Sequence, residues 1–316
     1  MSAILDVVLP VFAIILTGYL CGRFELLGDA SSEALNKFVY WVALPALLFR
    51  AMVKVDLNLL FDWGFLGAYV GAQAATMALA MAVGYWLFRN SFAESAMNGM
   101  NGVYGNTGYM GIPLALTAFG EASAVPTIIT VVVNAAVVVA VAVTLIEIAQ
   151  NRGGGLAGVA KDVGRSLAGN PMLVAPVLGI VWAATGLGLA TPVNTFCEIL
   201  GAAAGPCALF ALFAIGLFLV GKPVSEGLGE VSTNVLIKLV VQPAVTWWLA
   251  VSVFDMEPLW VTVAVLMAAL PTGAGSFVLA QTYGIYVQRT SSAILFSTMV
   301  SVVTLSVFFV LFPPAN

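Results

Sequence analysis

Gly105-Asn106-Thr107-Gly108-Tyr109-Met110-Gly111-Ile112-Pro113 lies inside an apolar segment long enough to cross a membrane. Three glycines and a proline occupy what would be the middle of that helix. A glycine costs about 1 kcal/mol in a helix interior and a proline about 3 kcal/mol. Inside a bilayer no water is present to satisfy the backbone groups that such a break sets free. Broken helices are tolerated at that depth only where the loosened backbone is buried in protein or faces a cavity. The stretch therefore predicts an interrupted span that helps to form a binding site.

Composition fixes the setting. Of 316 residues, 61% are hydrophobic and 8% charged, against roughly 25% charged in a soluble domain. The mean hydropathy is +1.06. The fold class expected is an all-α polytopic membrane protein. The net charge of −4 is thinly spread, and basic clusters with interleaved aromatics are absent, which argues against nucleic acid as a partner. The three cysteines, Cys21, Cys197 and Cys207, lack metal-ligand spacing and read as small buried hydrophobes. There is no histidine, which removes imidazole relays, HExxH zinc sites and histidine-based triads. No metal, cofactor or enzymatic activity is expected.

A spanning helix needs about 20 apolar residues. Ten segments qualify: Ile4–Cys21, Leu35–Val53, Trp63–Phe88, Ser95–Phe119, Pro126–Ile148, Pro171–Leu189, Thr195–Val220, Val231–Phe254, Leu259–Tyr283 and Arg289–Phe312. The first reads as a retained span, because it has neither a cationic leader nor a cleavage site. The longest connection carries Gly153-Gly154-Gly155 and reads as a joint between two halves. This divides the chain into a first five-helix repeat (1–149), a linker (150–170) and a second repeat (171–316). With the N-terminus outside, inner loops carry Arg23, Lys37, Arg89, Arg152, Lys161, Arg165, Lys222 and Arg289, and outer loops only Arg50 and Lys54. The positive-inside rule then places both termini outside the cytoplasmic membrane and the central loop in the cytoplasm.

Five spans per repeat force the second copy to be inverted. Leu9-Pro10-Val11-Phe12-Ala13-Ile14 matches Ala175-Pro176-Val177-Leu178-Gly179-Ile180, and Ala43-Leu44-Pro45 through Phe49 matches Ala204-Gly205-Pro206 through Phe210. The break in the fourth span has a counterpart in the ninth, at Pro271-Thr272-Gly273-Ala274-Gly275. The three matches occur in order at a nearly constant offset. Interrupted spans at corresponding places in two halves are the best sequence pointer to a transporter site.

Each break yields two half-helices. A half-helix N-terminus presents unpaired N–H groups and a partial positive charge, an arrangement suited to a carboxylate. Neutral hydrogen-bonders surround the first break: Asn101, Tyr104, Asn106, Thr107 and Tyr109. Thr272, Ser276 and Gln281 surround the second. Asn106 and Thr107 either contact a substrate or cap freed backbone, and the two tyrosines either line the site or pack. Asn134, deep in the fifth span, faces either the broken fourth helix or another neighbour, the former being favoured. Lys238, followed by Gln242-Pro243, either attracts an anion or extends its stem to the cytoplasmic headgroups. Glu147, Glu198 and Asp6 read as interfacial, and Arg50, Lys54, Asp56 and Asp62 as an outer mouth or a solvated loop. No acidic residue lies at either break, which disfavours a sodium site built from carboxylates. Sodium held by carbonyls, Asn and Thr stays open. Proton coupling would need Glu147, Glu198, Asp6 or the substrate as carrier.

The stretches Leu44-Pro45-Ala46-Leu47-Leu48-Phe49, Gly105 through Pro113, Leu270-Pro271-Thr272-Gly273, Phe277-Val278-Leu279-Ala280, Tyr283-Gly284 and Ser291 through Thr298 resemble the auxin efflux carrier family. The short central loop resembles its bacterial branch, within the bile/arsenite/riboflavin transporter-like superfamily. The resemblance implies two inverted five-helix repeats with crossing spans four and nine. Spans 1, 2, 6 and 7 would form a scaffold and dimer face, and spans 3–5 and 8–10 a mobile transport domain. Substrate would sit at the crossing, beside Pro113 and Pro271. Bacterial relatives are associated with malate, malonate and similar acids, and plant relatives export auxin. Many relatives carry Asn where this chain has Gly275.

The expected function is a secondary transporter of a small organic anion working by elevator-like alternating access. The expected substrate-binding set is Asn101, Tyr104, Gly105, Asn106, Thr107, Tyr109, Pro113, Asn134, Pro271, Thr272, Gly273 and Ser276. Lys238, Gln242 and Gln281 are candidates for charge or coupling, with H+ or Na+ as the ion, and a homodimer in the bilayer is expected. An anion channel would instead show a continuous polar stripe along several spans. A non-transporting substrate sensor would need an output domain, which this sequence lacks.

Overall fold

The computed structural model of the chain describes residues 9–54, 62–150, 164–165, 168–201, 206–221 and 227–314. The glycine joint, Asp6, Asp56, Arg152, Lys161 and Lys222 lie outside these residues. So do Ala204 and Gly205 of the second internal match.

Among the described residues, four helices are long and apolar enough to cross a membrane: α4 (Trp63–Leu87), α7 (Glu121–Gln150), α11 (Leu228–Val253) and α14 (Val287–Leu311). At 1.5 Å per residue, a helix of 25 residues reaches beyond the roughly 30 Å hydrocarbon core. Two of the shorter apolar helices are α1 (Leu9–Arg23) and α8 (Pro171–Ala184). The expected second span, Leu35–Val53, runs from within α2 (Asp29–Phe38) to the end of α3 (Leu44–Val53), and the expected seventh, Thr195–Val220, overlaps α9 (Thr191–Gly201) and contains α10 (Pro206–Leu219). Both predicted breaks are present. The segment expected as the fourth span is divided into α5 (Phe92–Asn101) and α6 (Ile112–Phe119), and that expected as the ninth into α12 (Pro258–Ala269) and α13 (Gly275–Tyr283).

Prolines shape the helices in a repeated way. The widened turns Val39–Ala43, Thr107–Gly111 and Ile237–Val241 each precede a proline by one residue: Pro45, Pro113 and Pro243. In each, the residue before the proline donates its N–H five residues back: Leu44 to Val39, Ile112 to Thr107 and Gln242 to Ile237. A proline ring clashes with the carbonyl four residues earlier and offers no N–H. The wider turn accommodates that ring without ending the helix.

Two tight helix pairs form one side of the molecule. α1 lies along α10, where Gly18 meets the Phe213 carbonyl and Gly216 meets that of Ile15 so closely that no Cβ fits at either glycine. α8 lies along α3, with Gly179 against the Phe49 carbonyl and Met52. On the other side, α4, α5, α7, α11, α12 and α14 pack together. Helix starts are capped locally: Asp62 accepts from the Phe65 N–H, Ser91 and Glu94 form a reciprocal box, and Asn170 before Pro171 accepts from Met172.

Candidate functional site: a two-helix crossover

The two breaks meet. Gly105 and Thr272 form an isolated antiparallel bridge. Asn106 donates its backbone N–H to the Pro271 carbonyl at 2.8 Å, and Gly273 donates to the Tyr104 carbonyl at 2.8 Å. Backbone groups that each helix loses at its break are thus satisfied by the other, as a low-dielectric setting demands. Close approach requires glycine here. A Cβ on Gly105 would stand 3.1 Å from the Met267 carbonyl oxygen, and one on Gly275 would stand 2.6 Å from the Tyr104 hydroxyl.

The crossover sorts the four half-helix ends by polarity. The N-terminal ends, at Thr107 and Gly275, face a cavity of about 1140 Å³, and Tyr104, Gly105, Asn106, Gly108, Gly273 and Ala274 line it with them. The first N–H groups of a helix have no partner four residues back, and the helix dipole adds positive potential there. In α13 the Ser276 and Phe277 N–H groups turn back to the Gly273 and Ala274 carbonyls in a tightened first turn. The opposite wall comes from Tyr40 and Trp41, Met172 of α8 and Phe218 of α10. Glu33, Lys37, Glu147, Arg165 and Asn170 line the cavity farther out. Glu33 and Lys37 pair at 2.6 Å, and the ammonium holds the Glu33 carboxyl below its ordinary pKa.

The sequence model of the family described as "membrane transport protein" matches residues 3–309. This chain belongs to that family. It includes the auxin efflux carriers: a protein of Oryza sativa subsp. japonica provisionally named auxin efflux carrier component 5c is 28% identical over 148 residues, 45% of this chain and 39% of its own length. A Rhizobium meliloti (strain 1021) protein provisionally named a malonate transporter is 37% identical over 310 residues, covering 97% of this chain and 95% of its own. The transporter YfdV of Escherichia coli (strain K12), uncharacterized by name, is 24% identical over 316 residues, covering 94% and 93%.

Within this membrane transport protein, eight of the residues singled out from sequence line the cavity: Tyr104, Gly105, Asn106, Thr107, Tyr109, Asn134, Gly273 and Gln281. Asn106 does not cap the backbone, and its side chain makes no hydrogen bond with a described residue. Asn134 donates to the Thr107 hydroxyl at 3.1 Å and the Gly105 carbonyl at 3.3 Å, and accepts from Gln73 at 2.6 Å. Of the two placements left open by the sequence, it therefore faces the broken helix, and it meets Gln73 of α4 as well.

The other residues of that set stand behind the crossover, away from the cavity lining. Thr272, 1% exposed, donates its hydroxyl to the Asn101 carbonyl at 3.0 Å and its N–H to the Ser297 hydroxyl at 3.0 Å. Asn101 donates to the Thr290 hydroxyl, and Ser276 to the Gly273 carbonyl. Pro113 and Pro271 shape the breaks. Lys238 does not reach the headgroups: it is fully buried and donates to the Ala268 carbonyl at 2.7 Å. Gln242 donates to the Val103 carbonyl at 3.2 Å.

Glu147, read as interfacial from its place near a span end, is 7% exposed and lines the cavity. The outer mouth is also reorganised, because Arg50 bonds Glu198 and Asn194 while Asp62 caps α4. Sequence reasoning missed Tyr40, whose hydroxyl donates to the Asn170 side chain at 3.2 Å. An Asn-Pro helix start facing a tyrosine in an apolar span was the available signal.

Proposed function

We propose that this protein is a secondary active transporter that moves a small organic anion, a mono- or dicarboxylate of the malate or malonate type. The observation that carries the reading is the convergence of two half-helix N-termini with the Asn106 amide on one cavity between two groups of helices. Such ends bind a carboxylate through N–H groups and dipoles without a fixed counter-charge. A site without fixed charge of its own is cheaper to carry through a bilayer. The name of the Rhizobium meliloti relative supports a dicarboxylate.

In this reading the chain has ten spans in two inverted repeats. The α1–α10 and α3–α8 pairs belong to the scaffold that dimerises, and the helices around the crossover slide against it as an elevator. Phe218 of α10 and Phe277 of α13 meet edge-on at 5.4 Å between the two groups, where sliding would part them. The cavity opens toward Lys37 and Arg165, the side assigned to the cytoplasm, so the structure corresponds to an inward-facing state of an inner-membrane protein with both termini outside.

Reconstitution into liposomes tests the reading. Purified protein should carry radiolabelled malonate or malate saturably, at carrier rather than channel rates, with competition among small carboxylates. Absence of flux for every mono- and dicarboxylate under pH, sodium and voltage gradients would reject it.

A further inference from the structure

The C-terminal ends of α5 and α12, the first half of each broken helix, point away from the cavity, toward α11. α12 ends at Ala269, and the last four carbonyls of a helix have no intrahelical donor. These carbonyls carry the negative end of the dipole and favour a cation. Lys238 is there: fully buried, it donates to the Ala268 carbonyl at 2.7 Å, and its Nζ lies 3.6 Å from where a Gly105 Cβ would be. The Met267 carbonyl flanks the same Gly105 position at 3.1 Å. Four residues on, Gln242 reaches the Val103 carbonyl just past the end of α5. The described ion pairs are Glu33–Lys37, Arg50–Glu198 and Glu230–Arg289, so no described carboxylate neutralises Lys238. A buried charge needs compensation, and the acceptor that meets the amine among the described residues is the Ala268 carbonyl at the end of α12.

We propose that the Lys238 ammonium is a tethered cation filling a monovalent cation seat at the C-terminal end of α12, behind the crossover. The wild-type protein therefore needs no inorganic cation there, and removing the amine opens the seat to sodium or a small alkylammonium ion. The inference deepens the transport reading of the crossover and rests on it. A fixed positive charge behind Gly105 also favours an anion held in front of it, while the backbone keeps the two from direct contact.

The test compares wild type, Lys238→Met and Lys238→Gln in liposomes and by thermal unfolding, with choline, sodium or methylammonium chloride at equal ionic strength. The Gln variant keeps a donor for Ala268 without charge, so it separates a charge from a mere cap and serves where the Met variant fails to assemble. Wild-type flux and melting should be unchanged when choline replaces sodium. Both variants should lose about tenfold or more of flux in choline. Sodium or methylammonium should restore flux and raise the melting temperature saturably, as a ligand of the folded state does. The proposal is overturned if wild-type flux or melting requires sodium, if the Gln variant transports like wild type in choline, or if neither cation stabilises either variant. Wild type without any carboxylate flux would reject the transport reading, and the melting series alone would still decide the cation seat.

Discussion

Asn106 gives its backbone N–H to the Pro271 carbonyl at 2.8 Å, and with that bond each broken helix repairs the other. The return bond, Gly273 to Tyr104, completes a small antiparallel bridge where two helices would each have left bare backbone. The bridge leaves the Asn106 side chain without a hydrogen-bond partner among the described residues, on the lining of the cavity. Replacing Asn106 by Ala should therefore cost transport rather than folding. One lost hydrogen bond to a charged ligand is worth about 1.5–3 kcal/mol, a loss of at least tenfold in apparent affinity. Concentration-dependent uptake should show this while melting temperature and membrane insertion stay at wild-type values; unchanged uptake would remove Asn106 from the site.

Gly275 makes a steric prediction. A Cβ there would meet the Tyr104 hydroxyl at 2.6 Å and two ring carbons at 2.9 Å, and the ring fills the space that a side chain at 275 would need. Gly275→Ala should destabilise by about 1–3 kcal/mol through overpacking and displace Tyr104 from the cavity wall. Tyr104→Ala should relieve the clash, making the double variant more stable than the sum of the singles predicts. Thermal unfolding of the four proteins measures the coupling, and strict additivity would contradict the packing described.

The breaks were legible because glycine and proline leave few backbone solutions inside an apolar span. The direction of the polar side chains was not. Thr272 and Asn106 are both hydrogen-bonders beside a break, yet Thr272 reaches back to the Asn101 carbonyl while Asn106 faces the cavity. That division depends on which end of each half-helix a residue occupies once the helices cross, and a linear pattern does not carry it. Lys238 shows the same limit. Its long stem allowed either snorkelling or burial, and the choice was made by the Ala268 carbonyl, 30 residues away in sequence.

Asn134 joins three elements through one side chain. It accepts from Gln73 of α4 and donates to Thr107 and Gly105 at the crossover. Asn134→Ala would leave the Gln73 amide and the Gly105 carbonyl short of a partner at buried positions. Unsatisfied buried groups cost about 1–3 kcal/mol each, so a clear drop in melting temperature should accompany any loss of uptake. In contrast to Asn106, stability and flux should fall together, and a variant melting like wild type would contradict the network.

The last prediction concerns the joint between α11 and α14. Glu230, with 3% of its side chain exposed, pairs with Arg289 at 3.2 Å and accepts from the Asn90 amide. Arg289 also donates to the side-chain amide oxygen of Asn90 at 3.2 Å and lies 5.1 Å above the Tyr286 ring. Arg289 keeps 30% of its side chain exposed, so solvent already screens part of its charge. The asymmetry predicts that Arg289→Met, which strands a buried carboxylate, is the damaging change. Breaking a buried pair costs about 3–5 kcal/mol, and partial exposure places this one toward or below the lower figure. Glu230→Gln leaves an amide that still meets Asn90 and should cost less. The double variant should recover much of the Arg289→Met loss, because no buried charge is then unpaired. Melting temperatures of the four proteins in one detergent measure this, and a double variant no more stable than Arg289→Met would show that the arginine acts through packing on Tyr286 instead.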